Sequence, residues 1–412
     1  MTLLLLQTAV ILLVTLACGA LARRIGQARV IGEIIGGIVL GPSLFGRCFP
    51  HAFAAFFRSS SLRPFEVLST IGLILFLFVI GTEVELEELY RHRRTALMAS
   101  ASSIVLPFLI AIALAPALRA RFAPHDVGTP VFALFLGISM SITAFPVLAR
   151  ILEEQGLLGT SLGTTAISCA AVDDVVAWLL LAVTLALMRA NGGLATLPLR
   201  FGGLLVYLAV MLGVLRPLGS RLVRNRGGSP MSLEVFGLTL IGVFLSAATT
   251  EAIGVHPLFG AFLAGVCLPR NAQWQASLRA RLDTIVSVLL LPLFFALTGM
   301  RTRIDMLNSR SVWFWAIVIV LAAMVGKIAG AALAARATGE SWFFSLALGV
   351  LLNTRGLVEL IVLNIAYDAG AFSPALFTIL VLMALATTVV TTPLLGALHI
   401  RSKASQELAA AR

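Results

Sequence analysis

The stretch GTTAISCAAVDDVVAWLLLAVTLALM, residues 163–188, holds two adjacent aspartates, Asp173 and Asp174, and no other ionisable side chain. Apart from them it reads as a helix dissolved in lipid, since about 20 apolar residues cross a hydrocarbon core. A carboxylate at the centre of such a helix costs about 2.5–3.5 kcal/mol on insertion scales. Two in succession are tolerated only if they face a wet cavity, a cation or a basic partner. The chain has just two lysines, and one of them, Lys327, lies in a second apolar segment, WFWAIVIVLAAMVGKIAGAALAA at 313–335. Two buried acids and one buried base predict an ion pathway.

The rest of the chain supplies the membrane around that pathway. Of 412 residues, 59% are hydrophobic and 12% charged, with a mean hydropathy of +1.01. Soluble proteins carry about 25% charged residues, so the lipid bilayer is the expected surrounding throughout. The formal net charge of +11 comes in short basic clusters between apolar runs, as topology signals do, and does not predict nucleic-acid binding. Cys18, Cys48, Cys169 and Cys267 show no metal-ligand spacing and read as free thiols. No cofactor is implied beyond the transported ions. HExxH and Walker sequences are absent, which disfavours an enzyme or an ATP-driven pump. The first apolar run, Leu3–Leu21, is followed rather than preceded by Arg23 and Arg24, so it reads as an uncleaved helix and not a signal peptide.

Apolar runs at 3–22, 30–46, 66–84, 95–116, 130–151, 159–188, 201–222, 233–250, 255–269, 283–300, 312–335, 342–367 and 373–398 predict an all-α polytopic membrane protein of about thirteen transmembrane helices. With the N-terminus outside, 18 basic residues fall on the cytoplasmic side and 10 on the outer side. Lys327 and Arg355 lie in the membrane, which accounts for all 30. The expected orientation is N-terminus out and C-terminus in, within the cell's inner membrane.

Two spans are interrupted. In the fifth, GISMSITAFPVLARIL places Ser139, Ser141 and Thr143 just before Pro146, whose missing N–H would free carbonyls in the preceding turn. In the twelfth, LGVLLNTRGLVELIVLN puts Asn353, Thr354, Arg355 and Gly356 at mid-membrane. Broken helices at that depth occur only where they line a cavity or are buried in protein. Paired breaks in two halves of a chain point to a transport site built from inverted repeats. Helices four to six and eleven to thirteen are the natural related units, and an odd shift of seven helices gives them opposite topology. Glu359, one turn after Arg355, is the expected partner of that arginine in an ion pair that fixes the broken helix.

VIGEIIGGIVLGPSLFG at 30–46, LILFLFVIGTEVE at 73–85, SMSITAFPVLARILEE at 139–154, AAVDDVVAW at 170–178, PLFFALTGM at 292–300 and NTRGLVEL at 353–360 resemble the second family of cation/proton antiporters. That family includes the exchanger NapA, the Kef systems and the plant CHX exchangers. The resemblance runs from about residue 5 to 400. It implies a homodimer with the NapA/NhaA-like fold and an elevator-type mechanism. Residues 95–189 and 311–400 would form the core. Residues 1–94 and 229–310 would form the dimerisation domain, with 190–228 as linker helix and 401–412 as cytoplasmic tail. It further implies that Asp174 binds the cation and that Asp173 pairs with Lys327. The wording around Thr143 and Trp178 pulls toward potassium, and the intact aspartate pair with its lysine pulls toward sodium.

The residues support an antiporter on their own terms. Successive helical residues point about 100° apart, so the two aspartates face different surroundings. One can hold an ion while the other holds a charge partner. Burial disfavours a charged carboxyl and a nearby ammonium favours it, so protons and alkali cations can compete for one acid. Hard cations take oxygen ligands, which Ser139, Ser141, Thr143 and freed carbonyls near Pro146 are expected to supply. Lys327 is suited to the proton side, because a lysine's proton affinity responds readily to burial. A cation channel and an organic-anion symporter of the same broken-helix architecture are the alternatives. The buried lysine weighs against the first and the adjacent acids against the second. His256 before Pro257 has the chemistry of a pH sensor but reads as incidental. Gly32, Gly36, Gly37 and Gly41 predict close helix packing, within or between protomers. Glu83 to Arg94 reads as a solvated charged loop.

Overall fold

A computed structural model describes residues 2–83, 93–124, 127–157, 160–189, 197–225, 231–269 and 271–398. Among them there are helices and connections but no strand. Glu85, Glu87, Glu88 and Arg91 of the charged loop, and the tail 401–412, lie outside the described residues. In chain order the helices are α1 (Thr2–Arg24), α2 (Arg29–Leu40), the short α3 (Phe45–Cys48) and α4 (Pro50–Phe56), α5 (Ser59–Glu83), α6 (Arg93–Phe122), α7 (Thr129–Ser141), α8 (Phe145–Glu154), α9 (Ser161–Arg189) and α10 (Leu197–Val210). There follow α11 (Arg216–Asn225), α12 (Leu233–Ile253), α13 (Pro257–Cys267), α14 (Ala272–Ile285), α15 (Leu291–Arg301), α16 (Arg310–Ala337), α17 (Trp342–Leu352), α18 (Leu357–Asp368) and α19 (Pro374–Ala397). Single turns of π-helix, Met211–Leu215 and Val286–Leu290, join α10 to α11 and α14 to α15.

Each expected apolar run contains helix among the described residues. Among the described residues, ten helical stretches are long and apolar enough to cross a membrane, or eleven if α17 and α18, bent by 44° at their break, count as one span. The fifth and ninth runs contain shorter apolar helices, α7 and α13. Serine caps set several starts: Ser232, Ser309, Ser341 and Ser373 each accept from the backbone N–H three residues on. His256 caps α13 with a shorter reach, its Nδ1 accepting from Leu258 N, two residues on, at 3.4 Å. GTSLG at 159–163 has the letter spacing of a nucleophile elbow, yet its Ser161 opens a membrane-spanning helix and not a strand-to-helix turn.

One detail of the fifth run differs from expectation. The helix stops at Ser141, five residues before Pro146, and residues 142–144 are not helical. Pro146 is the second residue of α8, where a missing N–H costs nothing because first-turn donors have no partner in the helix. The proline starts a helix here and does not break one.

The chain divides into two compact units. The first comprises Met1–Leu16, His51–Val84 and Ala182–Leu297, and within it α13 packs against α5 and α12. The second comprises Ala17–Pro50, Glu85–Leu181 and Thr298–Arg412. There α16 lies against α6, α17 and α19, while α7 contacts α6 and α18. The glycines of α2 pack inside this unit. A Cβ on Gly32 would sit 2.2 Å from Cys18 O, and one on Gly299 would sit 2.3 Å from Ile34 O and 2.7 Å from Gly37 Cα. Only a missing side chain lets those backbones approach so closely.

Candidate ion-binding site

All the residues of the expected site belong to the second unit, and the two aspartates meet different surroundings there. Asp173 is saturated. Its Oδ1 accepts from Ser100 Oγ at 2.6 Å, and its Oδ2 lies 2.6 Å from Thr143 Oγ1, 3.0 Å from Lys327 Nζ and 3.3 Å from Ser103 Oγ. The Asp173–Lys327 pair is wholly buried. Such a pair survives because hydroxyls fill the remaining acceptor positions and offset the desolvation of the charges. Lys327 Nζ also donates to the carbonyl of Ser141.

Asp174 is the opposite case. It is 3% exposed, and its Oδ1 has no hydrogen-bond partner among the described residues. One turn further along α9, the indole N–H of the buried Trp178 is also without a partner among them. Of the two acids, Asp174 is the one with lone pairs to spare.

The second break is built around Arg355, which is fully buried. Its Nη1 donates to Ser139 O at 2.8 Å and lies 3.3 Å from Glu359 Oε1, while Nη2 donates to Met140 O at 2.6 Å. The guanidinium therefore caps the carbonyl end of α7, where the last turn has no amides of its own to bind. Thr388 on α19 holds the break from the other side, accepting from Arg355 N at 3.0 Å and donating to Arg355 O at 2.8 Å. Ala144 N donates to Thr354 O at 3.0 Å, Asn353 Nδ2 reaches Thr387 O at 3.4 Å, and Thr354 Oγ1 turns back to Leu351 O at 2.7 Å. A cavity of about 10 Å³ beside Arg355, Gly356 and Thr388 has room for a single water molecule.

The structure thus brings Asp173, Lys327 and Thr143 together, and Arg355 and Glu359 together. It does not gather the expected oxygen shell around Asp174. Ser139 Oγ donates to Phe135 O at 2.8 Å and Ser141 Oγ to Ile104 O at 3.0 Å. The carbonyls of Ser139, Met140 and Ser141 are taken by Arg355 and Lys327. Ser100, Ser103 and Thr388 are the contributors that the sequence reading misses. Their one signal is a run of hydroxyls in an apolar span, SASSIV at 100–105 and ATTVVTT at 386–392.

Residues 9–400 match the family described as "Sodium/hydrogen exchanger, transmembrane". The chain belongs to that family. Among its relatives in the family is the "Na(+)/H(+) antiporter NhaS4" of Synechocystis, 40% identical over 95% of this chain and 97% of that protein. The "Cation/H(+) antiporter 17" of Arabidopsis thaliana is 40% identical over 96% of this chain but 48% of its own length. The chain spans about half of that plant relative. The exchanger fold is shared with the solved structure of the sodium proton antiporter MjNhaP1 from Methanocaldococcus jannaschii, with a TM-score of 0.67 at 15% identity, over 97% of this chain and 98% of that one.

Proposed function

We propose that the chain is a secondary active antiporter that exchanges a monovalent cation for protons at Asp174. Sodium and potassium are the two main candidate ions, with lithium third. The observation that carries the reading is a buried carboxylate oxygen without a partner, one residue from an acid whose charge is already matched. A lone buried carboxylate is costly unless a proton or a cation neutralises it. Either ion meets the need, and the two exclude each other, which is the basis of antiport.

Asp173 and Lys327 are the second proton device in this proposal. Cation arrival at Asp174 weakens the hold on the lysine's proton, so more than one proton moves per cation and exchange is electrogenic. Arg355, Glu359 and Thr388 keep the two breaks in place. The family resemblance supports an elevator-type motion of the core, residues 95–189 and 311–400, against a dimerisation domain in a homodimer. The distribution of basic residues supports an outer N-terminus and a cytoplasmic C-terminus in the cell membrane.

The test is purified protein in liposomes under an imposed pH gradient, challenged in turn with sodium, potassium and lithium salts. The expected result is a cation-dependent collapse of the gradient that Asp174→Asn abolishes. Ion flux that persists without a pH gradient and shows single-channel currents would instead establish a channel.

A further inference from the structure

On α9, Asp174 has four neighbours at helical spacing, Ala170, Ala171, Ala177 and Trp178. Three are alanines, so only Trp178 among them carries a side-chain hydrogen-bond donor. It is also the largest fully buried side chain among the described residues, at 1% exposed. Long side chains in a helix lean back over the turn on their N-terminal side. For Trp178 that is the turn of Asp174.

Each of the two residues holds half of a hydrogen bond. Asp174 Oδ1 is an enclosed acceptor without a partner among the described residues, and Trp178 Nε1 is an enclosed donor in the same condition. A buried polar group left unpaired costs about 1–3 kcal/mol, and a buried indole N–H usually finds an acceptor. Asp173 does not serve, because its oxygens face Ser100, Ser103, Thr143 and Lys327. The terminal torsion of an aspartate is broad and roughly two-fold. The Asp174 carboxylate can therefore turn an oxygen toward the indole while the helix stays in place.

We propose that Trp178 positions Asp174 for the cation: its indole N–H donates to one carboxylate oxygen and leaves the other to the ion. This role rests on Asp174 as the ion's ligand. Carboxylates that ligate metal ions are themselves held by hydrogen bonds from groups that do not touch the ion. Such a donor matters here because Ser139 and Ser141 cannot supply it. Their hydroxyls and carbonyls are bound to other partners. A hydrogen bond to a charged oxygen is roughly twice as strong as one between neutral groups. The indole therefore strengthens the cation-loaded site more than the protonated one.

The test is thermal unfolding of the purified full chain in detergent across a range of sodium and potassium concentrations, beside the cation half-saturation of exchange in liposomes. Wild type is expected to melt at higher temperature as the cation binds. Trp178→Phe keeps an apolar ring and removes the donor. Its half-saturating cation concentration should rise about 10–100-fold in both assays. Replacing Trp178 with β-(3-benzothienyl)alanine puts sulfur where the N–H was, in a ring of the same shape. That variant should show the same rise at an unchanged cation-free melting temperature, and it isolates the hydrogen bond should the phenylalanine variant fold poorly. Half-saturation equal to wild type in the benzothienyl variant overturns the inference and leaves Asp174 as the ligand. A cation-dependent melting shift that persists in Asp174→Asn overturns the site itself, and the role of Trp178 with it.

Discussion

The backbone N–H of Ala144 donates to the carbonyl of Thr354 at 3.0 Å, so the two helix breaks are bonded directly to each other. Around that bond the polar groups released by one break are used by the other. Arg355 takes two carbonyls of α7, and Thr143 Oγ1 lies 3.0 Å from Leu352 O at the end of α17. Backbone at this depth has no water to turn to, and the crossing supplies the partners that water would otherwise provide.

Asp174→Asn and Asp174→Ala should abolish cation/proton exchange without lowering thermal stability. Asp174 Oδ1 has no partner among the described residues, so the substitution strands nothing there. The measurement is flux in liposomes beside a thermal unfolding scan. Exchange at the wild-type rate in both variants would show that the ion binds elsewhere.

Lys327→Gln should cost about 3–5 kcal/mol, because it leaves Asp173 charged and buried without its ammonium. Exchange at Asp174 should survive in part and lose much of its dependence on membrane voltage. Adding Asp173→Asn should restore part of the stability, since neither buried charge is then alone. Strictly additive losses in the double variant would mean that the pair is not coupled.

Arg355→Met should be among the most damaging single changes, at about 3–5 kcal/mol, since it strands the carbonyls of Ser139 and Met140 and the Glu359 carboxylate together. Glu359→Gln should be milder, because both carbonyl bonds of Arg355 remain. Arg355→Lys should not rescue, as an ammonium lacks the planar fork that reaches two carbonyls and an acid at once. Folded yield and melting temperature in detergent read out all three.

Gly299→Ala should sharply reduce folded protein, because its new methyl would lie 2.3 Å from Ile34 O. Gly237→Ala meets nothing within 4 Å and should change stability by less than about 1 kcal/mol. Comparable losses at the two positions would remove the packing argument for α2.

The buried charges were legible in the sequence because Asp173, Asp174, Lys327 and Arg355 each violate the cost of placing charge in an apolar run. The Arg355–Glu359 pair was legible from helical spacing alone. Other parts depend on tertiary placement. Proline has two meanings in a helix, and only the helix end at Ser141 shows that Pro146 starts one. Ser100, Ser103 and Thr388 look like ordinary membrane hydroxyls until their neighbours are known. The oxygen shell drawn from Ser139 and Ser141 did not allow for cationic side chains arriving from far along the chain to occupy the same carbonyls.

Those distant contacts also bear on how the protein is made. The carbonyls of Ser139 and Met140 are bound by a residue 216 and 215 positions later in the chain. At ribosomal speeds of roughly 5–20 residues per second, α7 is synthesised about 10–40 s before Arg355. During that interval the end of α7 must be sheltered by water or by the insertion machinery, because lipid offers it no donors. A chain truncated before α17 keeps that exposed break permanently and should be cleared by quality-control proteases.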